Sequence, residues 1–114
     1  MSNCLFCNIV EGKIPAEIVL ENSELLAFND IDPQAPFHSL IIPKKHIATL
    51  NDLRREDAML VGEMVLFAAQ LAKKQGFEGE GYRTVFNCNQ VAGQTVFHMH
   101  LHVLAGRDLA WPPG

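Results

Sequence analysis

Apolar and polar residues alternate without a break through Phe97-His98-Met99-His100-Leu101-His102-Val103, and that period of two predicts a β-strand with one buried face. Met99, Leu101 and Val103 then point into a core, and His98, His100 and His102 stand in a row on the other face, about 6.7 Å apart. Residues 17–21 and 25–28 read as two strands around a turn at 22–24, forming a hairpin. A third strand spans 38–42 and stops at Pro43, and a fourth spans 82–89. Residues 51–75 carry a different rhythm: Leu60, Val61, Met64, Ala68, Leu71 and Ala72 recur at helical spacing and form one apolar stripe. Acidic residues early in that segment, Lys73 and Lys74 late, and Gly76 after them predict a helix that lies over the sheet.

Composition narrows the class without changing these elements. With 114 residues, 48% of them hydrophobic, the chain fits one globular domain, 1–114. The net charge of -4 disfavours broad binding to nucleic acid or to anionic membranes. The most apolar stretch, 58–72, is interrupted by Glu63 and Gln70 and is too short to span a bilayer. The first ten residues carry no secretory pattern, so a soluble, cytoplasmic protein is expected. Three cysteines, an odd number, argue against a disulfide framework.

Candidate chemistry then attaches to particular positions. Histidine changes charge near neutral pH and offers a nucleophilic or metal-binding nitrogen, so the imidazole row is the first candidate site. Cys4 and Cys7 stand three residues apart, close enough for one turn of backbone to aim both sulfurs at one ion; a redox dithiol and two core cysteines compete with that reading. Within the fourth strand, Val85, Asn87 and Asn89 share a face, which brings Asn87 toward the imidazoles. Gly93-Gln94 turns the chain into the histidine strand, and backbone N–H groups from Gly93 to Val96 can hold developing negative charge. A catalytic metal shared by all three histidines is disfavoured, because a strand would spread them over about 13 Å.

The run from Gly93 to Leu104 resembles the histidine triad signature, three histidines separated by single apolar residues. The resemblance extends to Phe28–Pro36, His38, Ile42–Ile47 and the ending Trp111-Pro112-Pro113-Gly114, and it points to the nucleotide-binding branch that hydrolyses nucleoside phosphoramidates. It implies an α+β fold with an antiparallel sheet of about five strands, one long and one short helix, and a homodimer in which long helices and fourth strands meet.

It also implies roles for individual residues. His100 is the nucleophile toward the α-phosphate of a purine nucleotide, AMP or GMP, with its other ring nitrogen donating to a backbone carbonyl. His102 contacts phosphate oxygens or the leaving group, and His98 and His38 complete the histidine set. Thr95 stands where relatives carry a serine that bonds the leaving nitrogen. Asp30 holds the ribose, with the start of a turn as its plainer role. Phe6, Ile9, Phe28 and Ile31 wall the base, Asn87 bonds near the ribose and phosphate, and Asn29 departs from the histidine of some relatives. Cys4, Cys7, His46 and His98 match relatives that hold a structural zinc, and catalysis itself is expected to need no cofactor. Cleavage of dinucleoside polyphosphates, nucleotidyl transfer and a nucleotide-binding regulatory module are the alternatives.

Overall fold

In the computed structural model, which describes residues 3–114, the chain opens with a short helix, α1 (Leu5–Val10). The strands β1 (Ile18–Glu21), β2 (Leu25–Asn29) and β3 (Phe37–Pro43) follow, then the long helix α2 (Ala58–Lys74), then β4 (Arg83–Phe86) and β5 (Leu101–Ala105). The five strands form one antiparallel sheet in the order β1-β2-β3-β5-β4, the α+β architecture expected.

The two central strands read as almost unbroken apolar runs because the sheet is buried on both faces. Leu25, Ala27 and Ile41 point toward α2 and pack with Met64, Phe67, Ala68 and Leu71 of that helix. Their neighbours Leu26, Phe28, Leu40 and Ile42 point the other way and pack with Phe6 and Ile9 of α1. In β5 the alternation assigns Leu101 and Val103 to the α2 side, so His102 belongs to the α1 side. The chemistry therefore sits on the face covered by the shorter helix.

Three expected elements are shorter than the sequence pattern suggests. The helical rhythm of 51–75 becomes an α-helix only from Ala58, because acidic side chains hold two tight turns before it. Asp52 accepts from the Thr49 N–H at 3.1 Å, and Asp57 from the Arg54 N–H at 2.9 Å, which stabilises 3-10 turns at Leu50–Asp52 and Arg55–Asp57. At the other end, Gly76 takes φ 85° and the Phe77 N–H closes onto Ala72 at 2.8 Å, so the helix stops where glycine permits the left-handed turn.

The second shortened element is the histidine strand, which begins at Leu101 and not at Phe97. Leu101 pairs with Ile41, so extending the ladder would set Met99 against Pro43, which has no N–H to offer. The Met99 N–H instead donates to Ile47 at 2.7 Å. The chain bends through 96–98, and the alternation there comes from a structured loop. The fourth strand likewise ends at Phe86, leaving Asn87 beyond it. Among the described residues no helix is long and apolar enough to cross a membrane.

Candidate active site

A cavity of about 410 Å³ opens on the α1 face of the sheet. Its apolar end is built by Phe6 and Ile9 from α1, Phe28 from β2 and Leu40 from β3, with Ile31 fully exposed on the rim. Its polar end carries Asn29, Asp30, Thr95, His100 and His102. An apolar slot ending in a few convergent polar groups is the form that ligand sites take.

The protons on the imidazoles are fixed by their partners. His100 Nδ1 lies 2.8 Å from the His98 carbonyl, which only accepts, so Nδ1 carries the hydrogen and Nε2 keeps a lone pair. His38, on β3, accepts the Gln34 N–H at Nδ1 over 3.0 Å, so its own hydrogen is on Nε2. From there it donates to His102 Nδ1 at 2.9 Å, which leaves His102 with an Nε2–H. The rings of His100 and His102 are 5.1 Å apart, which sets one bare nitrogen beside one N–H donor. Burial lowers the pKa of His100 and of His38, Asp30 opposing the shift in both. His102 falls to about 4, chiefly through burial, with His100 and His38 adding to the fall. All three are therefore neutral near pH 7.

The acid at the mouth is likewise oriented. Asp30 Oδ1 accepts the Asp32 N–H at 2.9 Å, and Oδ2 is 3.4 Å from His38 Nε2. The turn-starting role and a site role thus coexist, since each carboxylate oxygen retains further acceptor capacity. Asn29 is held by the Ser39 hydroxyl at 2.7 Å and donates to Glu17 at 3.0 Å.

Several expected residues stand elsewhere. His98 is fully buried and does not line the cavity: the row of three becomes a pair, His100 and His102, joined from β3 by His38. Gly93 and Gln94 use their N–H groups to close turns onto Gln90 and Asn89 at 3.0 and 3.1 Å, so those two amides are not aimed at a ligand. The Gln94 side chain is buried, accepting from Asn89 N–H at 2.8 Å and donating to the carbonyls of Ala48 at 2.8 Å and Val96 at 3.1 Å. It fastens the loop that presents Thr95. Asn87 is half-buried and outside the cavity lining. Conversely, Ile14, Pro15, Ala16 and Leu40 line the cavity without having been expected. Gln34 sets the His38 tautomer through its backbone alone, for which no side-chain signal exists.

Cys4, Cys7, His46 and His98 converge beside this cavity. His98 Nε2–H donates to the Pro43 carbonyl at 2.7 Å, so its Nδ1 is bare; that atom lies 3.4 Å from Cys4 Sγ, 3.5 Å from Cys7 Sγ and 3.2 Å from His46 Nδ1. Cys7 Sγ is 3.3 Å from His46 Nδ1. A tetrahedral zinc with two nitrogen and two sulfur ligands has edges of about 3.3–3.8 Å, so spacing and donor chemistry both suit that ion. The Pro43 carbonyl is the kind of partner that orients a ligating imidazole.

Comparison with known proteins agrees with this geometry. Residues 3–109 match a family model described as the C-terminal binding region of the scavenger mRNA decapping enzyme. An uncharacterised HIT-like protein of Synechococcus elongatus is 48% identical over 110 residues, 96% of each chain. Among solved structures, a HIT family hydrolase from Legionella pneumophila Philadelphia 1 superimposes with a TM-score of 0.96 at 54% identity, over 98% of this chain and 100% of that one. A histidine triad protein from Clostridium difficile gives 0.93 at 40% identity, over 96% of each chain. Sequence and backbone both match over nearly all of the chain, which belongs to the histidine triad (HIT) family of hydrolase-like proteins.

Proposed function

We propose that the chain hydrolyses purine nucleoside 5'-phosphoramidates, releasing an amine and AMP or GMP through a nucleotidyl-histidine intermediate on His100. The observation that carries the reading is the His100 tautomer: Nδ1–H is tied to the His98 carbonyl, so Nε2 is the bare nucleophilic nitrogen of a ring lining the cavity. The base would lie between Phe6, Ile9, Phe28 and the exposed Ile31, and Asp30 would accept from the ribose hydroxyls.

In the first step His100 Nε2 adds in line to the α-phosphorus while the P–N bond breaks toward nitrogen, and the departing amine takes a proton from water. The His102 Nε2–H and the Thr95 hydroxyl supply donors to the phosphoryl oxygens and the leaving nitrogen. A water molecule then attacks phosphorus and gives its proton to the hydroxide left by the first step, the His100–phosphorus bond breaks with its electron pair returning to Nε2, and the nucleoside monophosphate leaves. A pre-positioned neutral imidazole suits the first of these steps, because a protonated His100 has no lone pair to offer.

Incubation with adenosine 5'-phosphoramidate tests the reading. AMP release is expected with wild-type protein and loss of turnover by about a thousandfold or more in His100→Ala. Mass spectrometry of peptides kept at neutral to alkaline pH, where a histidine P–N bond survives, should locate the nucleotidyl adduct at His100; turnover surviving in the variant, or an adduct elsewhere, would remove the nucleophile. The family model's decapping-enzyme description supports a second reading, cleavage of a dinucleoside polyphosphate. Turnover of a dinucleoside tetraphosphate above that of the phosphoramidate would favour it.

Two accompanying proposals concern assembly. Cys4, Cys7, His46 and His98 would hold a structural zinc, outside every step above. The chain would form a homodimer through the outer side of α2, where Met59, Val65 and Leu66 are exposed, together with the edge strand β4.

A further inference from the structure

The thiols and imidazoles of the metal-type cluster are fastened to the same two elements that build the nucleotide cavity. On one side is α1. Six residues are too few for a helix to persist alone in water, where about 12–15 are needed, so α1 takes its order from what it is tied to. The Cys4 sulfur caps it, accepting the Cys7 N–H at 3.3 Å, and Cys7 lies within it. Between the two sulfurs sits Phe6, 4% exposed, its ring 5.1 Å from that of His100 and 5.4 Å from Phe28. One turn further on, Ile9 lines the same cavity.

On the other side is the bend at His98. Its ring enters the cluster through Nδ1, while its backbone carbonyl holds the His100 Nδ1–H at 2.8 Å. Phe6 also touches the His98 ring edge-on at 5.9 Å, closing the circuit between the two sides. His46 is exposed, which gives a metal ion a path in and out from solvent. The bare Nδ1 of His98 lies 3.2 Å from His46 Nδ1, where it can accept an N–H from His46 in the empty cluster, whereas zinc takes both nitrogens as ligands; loading and emptying the cluster therefore exchange these contacts on an element that also shapes the cavity.

We propose that zinc in the Cys4/Cys7/His46/His98 cluster and a purine nucleoside monophosphate in the cavity are thermodynamically coupled through Phe6 and α1, each tightening the other. The proposal rests on the reading of the cavity as a nucleotide site and adds to it a control by metal supply. Coupling is reciprocal, so the factor by which zinc tightens AMP equals the factor by which AMP tightens zinc. A factor of about ten is expected, within the range that such couplings span.

The experiment measures both legs on the full chain. AMP affinity is determined by calorimetry on zinc-loaded and chelator-stripped protein, and zinc affinity by competition with a colorimetric chelator, with and without AMP. A fall in AMP affinity of about tenfold on stripping, matched by the same factor for zinc, is the expected result. Phe6→Ala completes the cycle: zinc should still bind, and the coupling factor should fall to about one. If stripping unfolds the chain, AMP would tighten zinc through folding alone; a factor that survives Phe6→Ala identifies that route and overturns the one through α1. AMP that binds both forms equally overturns the coupling and leaves the nucleotide site standing. AMP that binds neither form overturns the nucleotide site and the coupling with it.

Discussion

Single partners decide what each buried imidazole can do, and the consequences are measurable residue by residue. His102 is neutral down to about pH 4, against an ordinary value of 6.5, because burial and two neighbouring imidazoles disfavour its charged form. Between those values the unfolded chain binds a proton at this position and the folded chain does not, so stability rises with pH across the window. The folded state should therefore be fully stable above about pH 6.5 and lose stability as the pH falls toward 4; urea midpoints at pH 7 and pH 5 check the sign. His38, lowered by burial against the opposing pull of Asp30 and Asp32, acts in the same direction. A midpoint that rose on acidification would contradict the buried neutral pair. Gly106 offers a second test. Its φ is 95°, and a Cβ there would sit 2.9 Å from the Pro36 Cβ. Gly106→Ala should therefore cost about 1–3 kcal/mol in urea unfolding, since it adds both backbone strain and a clash with a rigid ring.

The elements show where sequence patterns carry information and where they mislead. The apolar runs at 25–28 and 38–42 identified β2 and β3 as strands, and the structure adds that they are apolar throughout because both sheet faces are covered; the stripe on α2 identified its buried side through Met64, Ala68, Leu71 and Ala72. The histidine run misled for a local reason: strict alternation describes side chains, whereas strand pairing needs a partner N–H that Pro43 cannot give. His98 consequently turned out of line into the cysteine cluster, while Met99 kept its place in the core. The pairing of His38 with His102 across β3 and β5, and the backbone bond that sets His38, depend on register and turn geometry that no periodicity encodes. Gln94 illustrates the same limit, since nothing in its neighbourhood distinguishes a ligand-binding amide from a clamp. Gln94→Ala should leave the Asn89 N–H and the Ala48 carbonyl without partners, at a cost of about 1–3 kcal/mol. Because that loop presents Thr95, the variant should also raise KM for the phosphoramidate more than it lowers kcat. An unchanged unfolding midpoint would return Gln94 to the list of ligand contacts.

At the scale of the whole molecule, one feature of α2 is left unexplained by the fold of a single chain. Its inner side is committed to the core, yet Met59, Val65 and Leu66 on the outer side are 79%, 51% and 63% exposed. Gly62 and Ala69 lie among them and would let another helix approach closely. The sheet also ends at β4, an edge strand of the kind that pairs with a second chain unless it is protected. A symmetric dimer would use both features, because a two-fold axis sets the same patch against itself. Light scattering at micromolar concentration should then give twice the mass of one chain, and the melting temperature should rise with protein concentration. Leu66→Glu would place two like charges across the axis and should yield a monomer, with β2, β3 and β5 intact and far-UV circular dichroism unchanged. The cavity proposed to hold the nucleotide is lined chiefly from α1, β2, β3 and the 95–102 segment, so AMP binding should survive in that monomer. A wild-type protein that scattered as one chain would leave the outer side of α2 as an ordinary exposed surface.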